Sequence, residues 1–220
     1  MRDRNEAKTV AAASLEPPER APLPAPEAMS RFDSIAPQEA LTIDQTILRR
    51  GSTRVFARAP LPVRELATIL ASARVHPRAD FPPLTDTYLI VNAVEGLASG
   101  AYHYRSESGD FELLVPGEFR AEAGYLCLEQ RLGADCAALV AYMTDLERVL
   151  RALGNRGYRD AHLEAGVLGG RAYLAAYALG RGATGLTFYD DDTTEFFAPH
   201  AAGKSPLLMV ALGVPRSRRV

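Results

Sequence analysis

The chain has 220 residues, a formal net charge of −2 and an apolar content of 47%. These values fit one folded domain with appendages and exclude a wholly disordered chain, a collagen-like repeat and a disulfide scaffold. The balanced charge gives no indication of a nucleic-acid partner, and the sequence has no apolar run of the roughly 18 residues that a membrane helix needs. With only two cysteines, the chain is predicted to be a cytoplasmic protein with neither nucleic-acid nor membrane partners.

Residues 1–40 differ in composition from the rest and hold six of the fifteen prolines. Proline fixes φ and removes a hydrogen-bond donor, so this segment is predicted to be extended and stiff rather than helical. Two interpretations stay open: a disordered leader, or a linker to a neighbouring domain in a longer precursor. The folded domain is expected over residues 41–215, followed by a basic tail over 216–220.

Apolar spacing and turn signals predict alternating elements from residue 38 onward. Helices are predicted over 38–49, 62–73, 118–131, 160–180 and 193–197. Strands are predicted over 87–94, 100–105, 110–115, 134–143, 184–189 and 206–212, with a hairpin turn at 106–109. Helices followed by a strand meander and then mixed elements indicate an α+β fold with a largely antiparallel sheet.

Two familiar site patterns are rejected on their context. Gly180 to Gly185 spells GxGxxG, but a helix is predicted before it and a strand after it. A dinucleotide site needs the reverse order, so the glycines are read as a helix cap and a tight connection. The four histidines (His76, His103, His162, His200) lie on different elements with no i,i+4 pair, so no metal site is expected.

The segment from Arg49 to Arg54 (RRGSTR) places three guanidinium groups and two hydroxyls in six positions. A solvated basic turn is one interpretation. A phosphate site is the other, because a phosphate dianion favours charged bidentate donors together with hydroxyl groups. Val55 and Phe56 follow directly and indicate that the loop turns back into the core.

The long predicted helix contains Gly166, Gly169 and Gly170. Each glycine inside a helix costs about 1 kcal/mol relative to alanine. These positions therefore indicate close approach by a second helix, a dimer partner or a flat ligand. An alanine-rich core helix with tolerated glycines is the alternative.

Several segments, in order, resemble the nitroreductase-like flavoproteins over about residues 41–215. The segments are RRGSTRVF, LATIL, GYRDAHLEAGVLGGRAYLAAYALGRGATGLTFYDD and LLMVALGVP. The branch that the chain resembles is the SagB-type dehydrogenases, which include the thiazoline and oxazoline oxidases of peptide natural products. The resemblance implies a nitroreductase-like α+β sandwich, an intertwined homodimer that binds FMN at its interface, and an oxidoreductase that transfers hydride through flavin N5.

The resemblance also implies which residues bind the cofactor. Arg50, Ser52 and Arg54 match the positions that contact the ribityl-phosphate and the pyrimidine edge. Thr184, Gly185 and Leu186 match the segment whose backbone approaches N5, and Arg216, Arg218 and Arg219 are available to the phosphate. An arginine near flavin N1 and O2 favours the negative charge of the reduced ring.

Two departures from the branch bear on activity. Ala152 and Leu153 stand where azoline oxidases carry a Lys-Tyr pair, so azoline oxidation is doubtful and the nearest titratable candidates are Tyr158, His162 and Glu164. Residues 76–83 replace the usual Pro-Ser-Ala-Gly loop.

Three functional readings remain. The first is an FMN-dependent oxidoreductase acting on a small molecule or peptide, with O₂ or another acceptor. NAD(P)H is one candidate donor, although the sequence has no separate nicotinamide site. The second is a catalytically weakened FMN-binding or scaffold subunit of a peptide-modifying complex, and the third is an α+β binding domain without flavin.

Overall fold

The computed structural model describes residues 29–33, 40–74 and 79–216. Its helices are α1 (Ile43–Arg49), α2 (Val63–Ala73), α3 (Arg120–Leu126), α4 (Arg131–Asp135), α5 (Leu146–Leu153), α6 (Asn155–Ala178) and α7 (Asp190–Phe196). Its strands are β1 (Met29–Arg31), β2 (Leu61–Pro62), β3 (Asp86–Val91), β4 (Val94–Glu95), β5 (Gly100–Arg105), β6 (Asp110–Pro116), β7 (Ala138–Thr144), β8 (Gly182–Leu186) and β9 (Ser205–Gly213). Most of the proline-rich leader and the tail beyond Arg216 lie outside the described residues.

Seven strands form one sheet in the order β1-β6-β5-β3-β7-β9-β8, and every neighbouring pair in it is antiparallel. A separate two-stranded parallel ladder joins β2 to β4. The predicted α+β fold with a largely antiparallel sheet is therefore confirmed. The strand β8 forms one edge of the sheet.

The sheet is covered by helices on both faces. Side chains alternate between faces along each strand. On one face Leu89, Val140 and Leu212 belong to a core that α2 and α6 complete. On the other face Ile90 and Met209 belong to a core that α3 and the end of α7 complete.

The prediction of one helix over 118–131 is wrong. The chain forms α3 and α4 instead, separated by a turn in which Leu128 and Glu129 have φ values of 55° and 58°. Those left-handed conformations interrupt a helix, and the apolar spacing does not predict them.

The helix α5 was not predicted. The predicted cap is confirmed, because Gly180, two residues after the end of α6, has a φ of 69°.

The long helix α6 has two kinds of glycine. A Cβ at Gly169 would lie 2.5 Å from Leu208 Cδ2, and one at Gly157 would lie 2.7 Å from Val149 Cγ1. A Cβ at Gly166 or Gly170 would meet no described atom within 4 Å. Of the three predicted positions, only Gly169 has a close contact within the described residues, and its neighbour is the strand β9 rather than a helix. Gly166 and Gly170 are exposed. Among the described residues, no helix is long and apolar enough to cross a membrane.

Candidate functional site

The arginine-rich loop after α1 is fastened to the edge strand β8 by Thr53. The Thr53 N–H donates to the Ala183 carbonyl oxygen at 2.9 Å, and its Oγ1 lies 3.1 Å from the Tyr177 hydroxyl of α6. A Cβ at Gly182 would lie only 2.3 Å from Thr53 Oγ1, so this contact requires glycine in β8. Thr53 is the residue that fixes the loop, and sequence reasoning did not single it out.

The three residues predicted to bind the cofactor from this loop surround Thr53. Thr53 is 7% exposed, whereas Arg50, Ser52 and Arg54 are all exposed. Arg50 also ends α1, with its N–H donating to the Thr46 carbonyl at 2.8 Å. The loop therefore has one inward anchor and three outward polar side chains.

The second predicted segment, Thr184 to Leu186, lies beside this loop in β8. Thr184 and Leu186 are buried at 2% and 7% exposure, whereas Gly185 is exposed. The Gly185 N–H donates to the hydroxyl of Tyr173, one helical turn before Tyr177 on α6. At this edge β8 therefore presents glycine backbone rather than side chains.

The end of β9 returns the chain to the same loop. The Ala57 N–H donates to the Val214 carbonyl at 2.9 Å, and the Arg216 N–H donates to the Val55 carbonyl at 3.0 Å. Arg216 is exposed and lies beside the segment that contains Arg54. The structure thus brings Arg216 to the arginine loop, while Arg218 and Arg219 lie outside the described residues.

The candidate catalytic residues fall into two places. Tyr158 and His162 are exposed on the first half of α6, with ring centroids 4.4 Å apart. They line a cavity of about 620 Å³ together with Phe188, Asp190 and Leu207. Phe188 comes two residues after β8 ends, so the cavity begins near the edge strand.

Glu164 is separated from that cavity. It is 2% exposed, and its Oε2 accepts the Leu84 N–H at 2.8 Å ahead of β3. The structure therefore brings Tyr158 and His162 together and places Glu164 in a buried contact that positions the start of β3. Ala152 and Leu153, at the end of α5, carry no group that can accept a proton.

The sequence that forms this arrangement matches a known protein family. The model of the nitroreductase family matches residues 47–214, which include the arginine loop and β8. The chain belongs to the nitroreductase family. Membership implies an oxidoreductase.

Relatives in the nitroreductase family support that identification. A Methanocaldococcus jannaschii protein assigned as a nitroreductase is 28% identical over 185 residues, covering 80% of this chain and 92% of the relative. A crystal structure assigned as a nitroreductase from Anabaena variabilis is 31% identical with a TM-score of 0.75. The alignment covers 79% of this chain but only 38% of the Anabaena chain, so this chain corresponds to less than half of that longer protein.

More distant structures share the nitroreductase fold. The microcin synthetase complex McbBCD of Escherichia coli, solved with a truncated pro-MccB17 bound, has 20% identity and a TM-score of 0.65, covering 97% of this chain and 85% of that chain. An NADPH:FMN oxidoreductase from Vibrio harveyi in complex with NAD⁺ has 16% identity and a TM-score of 0.58, covering 80% and 69%. At these identities the likeness concerns the fold alone.

Proposed function

We propose that this nitroreductase-family chain is an FMN-dependent oxidoreductase of the SagB type that binds FMN along the edge formed by the arginine loop and β8. The observation that carries the proposal is the convergence of Arg50, Ser52, Arg54 and Arg216 beside exposed glycine backbone. The nitroreductase resemblance assigns the same positions to FMN.

The donor set fits the chemistry of FMN. A phosphate dianion is bound best by guanidinium groups that donate two hydrogen bonds, supported by hydroxyls. Arg50, Arg54 and Ser52 supply both kinds of donor, and Thr53 holds the loop against β8. A fixed cation beside the ring lowers the free energy of its reduced, negatively charged form. Bound FMN would supply hydride acceptance at N5.

We also propose that the protein is a homodimer joined through α6. Leu163 is 58% exposed on that helix, and Gly166 and Gly170 continue the same face at spacings of three and four residues. The helix α1 adds further exposed apolar side chains, namely Ile43, Ile47 and Leu48. An apolar stripe interrupted by glycines suits close packing against a second copy.

For the substrate, we propose a small molecule or peptide other than an azoline. General base catalysis contributes about 10²- to 10⁴-fold, and Ala152 and Leu153 do not provide it. Tyr158 and His162 are the titratable groups at the cavity that begins near β8. NADPH is the proposed reductant to test first. We propose that the protein acts in the cytoplasm.

A second candidate function is an FMN-binding scaffold subunit of a peptide-modifying complex. The absent Lys-Tyr pair favours it, because the positions that the resemblance assigns to the cofactor keep polar side chains while those that it assigns to the base do not. The fold shared with the McbBCD complex is in keeping with such a role.

Anaerobic reduction separates the two functions. The FMN-loaded protein is mixed with NADPH and, separately, with a thiazoline peptide, and flavin absorbance is followed. The oxidoreductase predicts bleaching by NADPH or another donor and slow or no bleaching by the azoline. Bound FMN that no donor reduces would support the scaffold. A protein that does not bind FMN would contradict both functions.

A further inference from the structure

Two histidines and a carboxylate meet on the face of the sheet that α3 and α7 cover. His103 of β5 lies directly opposite Glu112 of β6 in the strand register. His200, in the segment after α7, lies over His103 with ring centroids 4.5 Å apart. Each of the three can present one ligand atom so that all three atoms lie within 4.8 Å of one another.

We propose that His103, Glu112 and His200 bind a Zn²⁺ ion. Two imidazoles and one carboxylate are a donor set that zinc accepts, with a fourth position left for water. Imidazole ligands favour zinc and similar transition ions over Mg²⁺ and Ca²⁺, which favour oxygen. The proposal departs from the expectation drawn from histidine spacing, because strand pairing and not sequence proximity brings these residues together.

The spacing of the first two ligands agrees with zinc geometry. His103 Nδ1 lies 3.3 Å from Glu112 Oε2, which is long for an N–H···O hydrogen bond. Zinc bonds of about 2.0–2.2 Å in a tetrahedral arrangement separate two ligand atoms by roughly 3.4 Å. The pair therefore needs little movement to share an ion.

His200 already has a hydrogen-bonded outer partner of the kind that orients metal ligands, and a carboxylate lies near the second ring nitrogen of His103. The Tyr88 hydroxyl lies 2.8 Å from His200 Nδ1, and Lys204 Nζ donates to the same hydroxyl at 2.8 Å. Asp86 Oδ1 lies 3.9 Å from His103 Nε2. Zinc-bound histidines commonly use their second ring nitrogen in this way, and the partner fixes the ring.

The surrounding charge predicts how the affinity should change. Arg105 Nη2 lies 2.9 Å from Glu112 Oε2 and is 44% exposed, so it competes with an incoming cation for that carboxylate. Lys204 pairs with Asp86 at 2.6 Å. Removing the Arg105 charge should therefore strengthen Zn²⁺ binding. If His103, Glu112 and His200 only hydrogen-bond to one another and do not bind an ion, the same change should not raise the affinity for Zn²⁺.

The cluster is separate from the proposed flavin edge. Going from β5 to β8 crosses β3, β7 and β9, so four strand spacings give a separation of about 19 Å. A bound ion would join the β5–β6 hairpin to the segment after α7. The ion would therefore lie at a distance from the cofactor.

Calorimetric titration of the full chain with Zn²⁺, after treatment with a chelator, tests the proposal. About one ion per chain should bind, Mg²⁺ should not compete, and the ion should raise the melting temperature. His103→Ala and His200→Ala should abolish binding, whereas the exposed His162→Ala control should bind normally. Tyr88→Phe should weaken binding by about 10- to 100-fold.

Arg105→Gln keeps the test decisive if a histidine variant does not fold, because Arg105 is partly exposed and its removal should tighten binding. The folded state of each variant is checked by circular dichroism. Failure of the wild-type chain to bind Zn²⁺ would overturn the proposal. It would also be overturned if the folded His103→Ala and His200→Ala variants bound the ion as well as the wild type, or if Arg105→Gln left the affinity unchanged.

Discussion

At the scale of single residues, the proposed cofactor edge depends on one buried threonine and the arginines around it. Thr53 is bonded to both β8 and α6, which holds Arg50 and Arg54 on the outer side of the loop. The arginine pattern could be read in the sequence because it is local. The role of Thr53 could not, because its partners Tyr177 and Ala183 lie more than a hundred residues away.

Arg50→Ala and Arg54→Ala should each weaken FMN binding while the protein stays folded. One lost charge-assisted contact costs about 1.5–3 kcal/mol, or roughly 10- to 150-fold in affinity. Titration of flavin fluorescence measures the change. Arg64→Ala, which removes an exposed arginine from α2, is the matched control and should bind FMN normally. Unchanged affinity in both loop variants would show that this loop does not bind the phosphate.

The two cysteines should be chemically inert in the native protein. Burial raises the pKa of the Cys127 thiol to about 12, compared with about 8.5 for a free thiol. Alkylation of the folded protein should therefore show no rise as pH passes about 8.5, because little thiolate forms there. The protein unfolded in urea should show that rise. Native labelling that follows the unfolded profile would contradict the burial of Cys127.

At the scale of elements, α6 organises the domain. Its last turns provide Tyr173 and Tyr177 to β8 and the arginine loop, and its first turns line the cavity with Tyr158 and His162. Tyr158 and Tyr173 are fifteen residues apart, which is about 22 Å along a helix. The helix therefore contacts both the arginine loop, where the phosphate is proposed to bind, and the cavity.

Gly157→Ala should disrupt the junction of α5 and α6. The new Cβ would lie 2.7 Å from Val149 Cγ1 and 2.9 Å from the Val149 carbonyl oxygen, and that backbone atom has little room to move. We expect a loss of about 1–3 kcal/mol in the free energy of unfolding, measured in urea. Asn155→Ala, at an exposed position two residues earlier, should change it by no more than about 0.5 kcal/mol. Equal stability of the two variants would refute this close contact.

Periodic apolar spacing predicted the elements whose buried faces repeat regularly, such as α2, β3 and β9. It failed between α3 and α4, where Leu128 and Glu129 adopt left-handed conformations. It missed α5, although Asp145 caps that helix through the Arg148 N–H and Leu146, Val149 and Leu153 have helical spacing. The predicted hairpin turn at 106–109 already sets His103 opposite Glu112, but His200 joins them only through tertiary packing, which apolar spacing does not specify.

At the scale of the whole molecule, the exposed face of α6 that carries Leu163, Gly166 and Gly170 predicts association of two copies of the chain. Gly170→Leu should overpack a helix contact by about 1–3 kcal/mol and weaken the dimer. Sedimentation across a concentration series measures this effect. Glu122→Leu adds the same side chain at an exposed position on α3, on the opposite face of the sheet, and should leave the dimer intact. A wild-type protein that stays monomeric at micromolar concentration would contradict the homodimer.

FMN binding by the arginine loop and β8 underlies every function proposed for this nitroreductase-family chain. The most direct test is to reconstitute the purified chain with FMN, remove unbound flavin, denature the protein, and identify and quantify the flavin released. We expect about one molecule of FMN per chain, and greatly reduced FMN in an Arg50→Ala/Arg54→Ala double variant. Absence of bound flavin from the folded wild-type protein, or equal amounts of FMN in the wild type and the double variant, would contradict it.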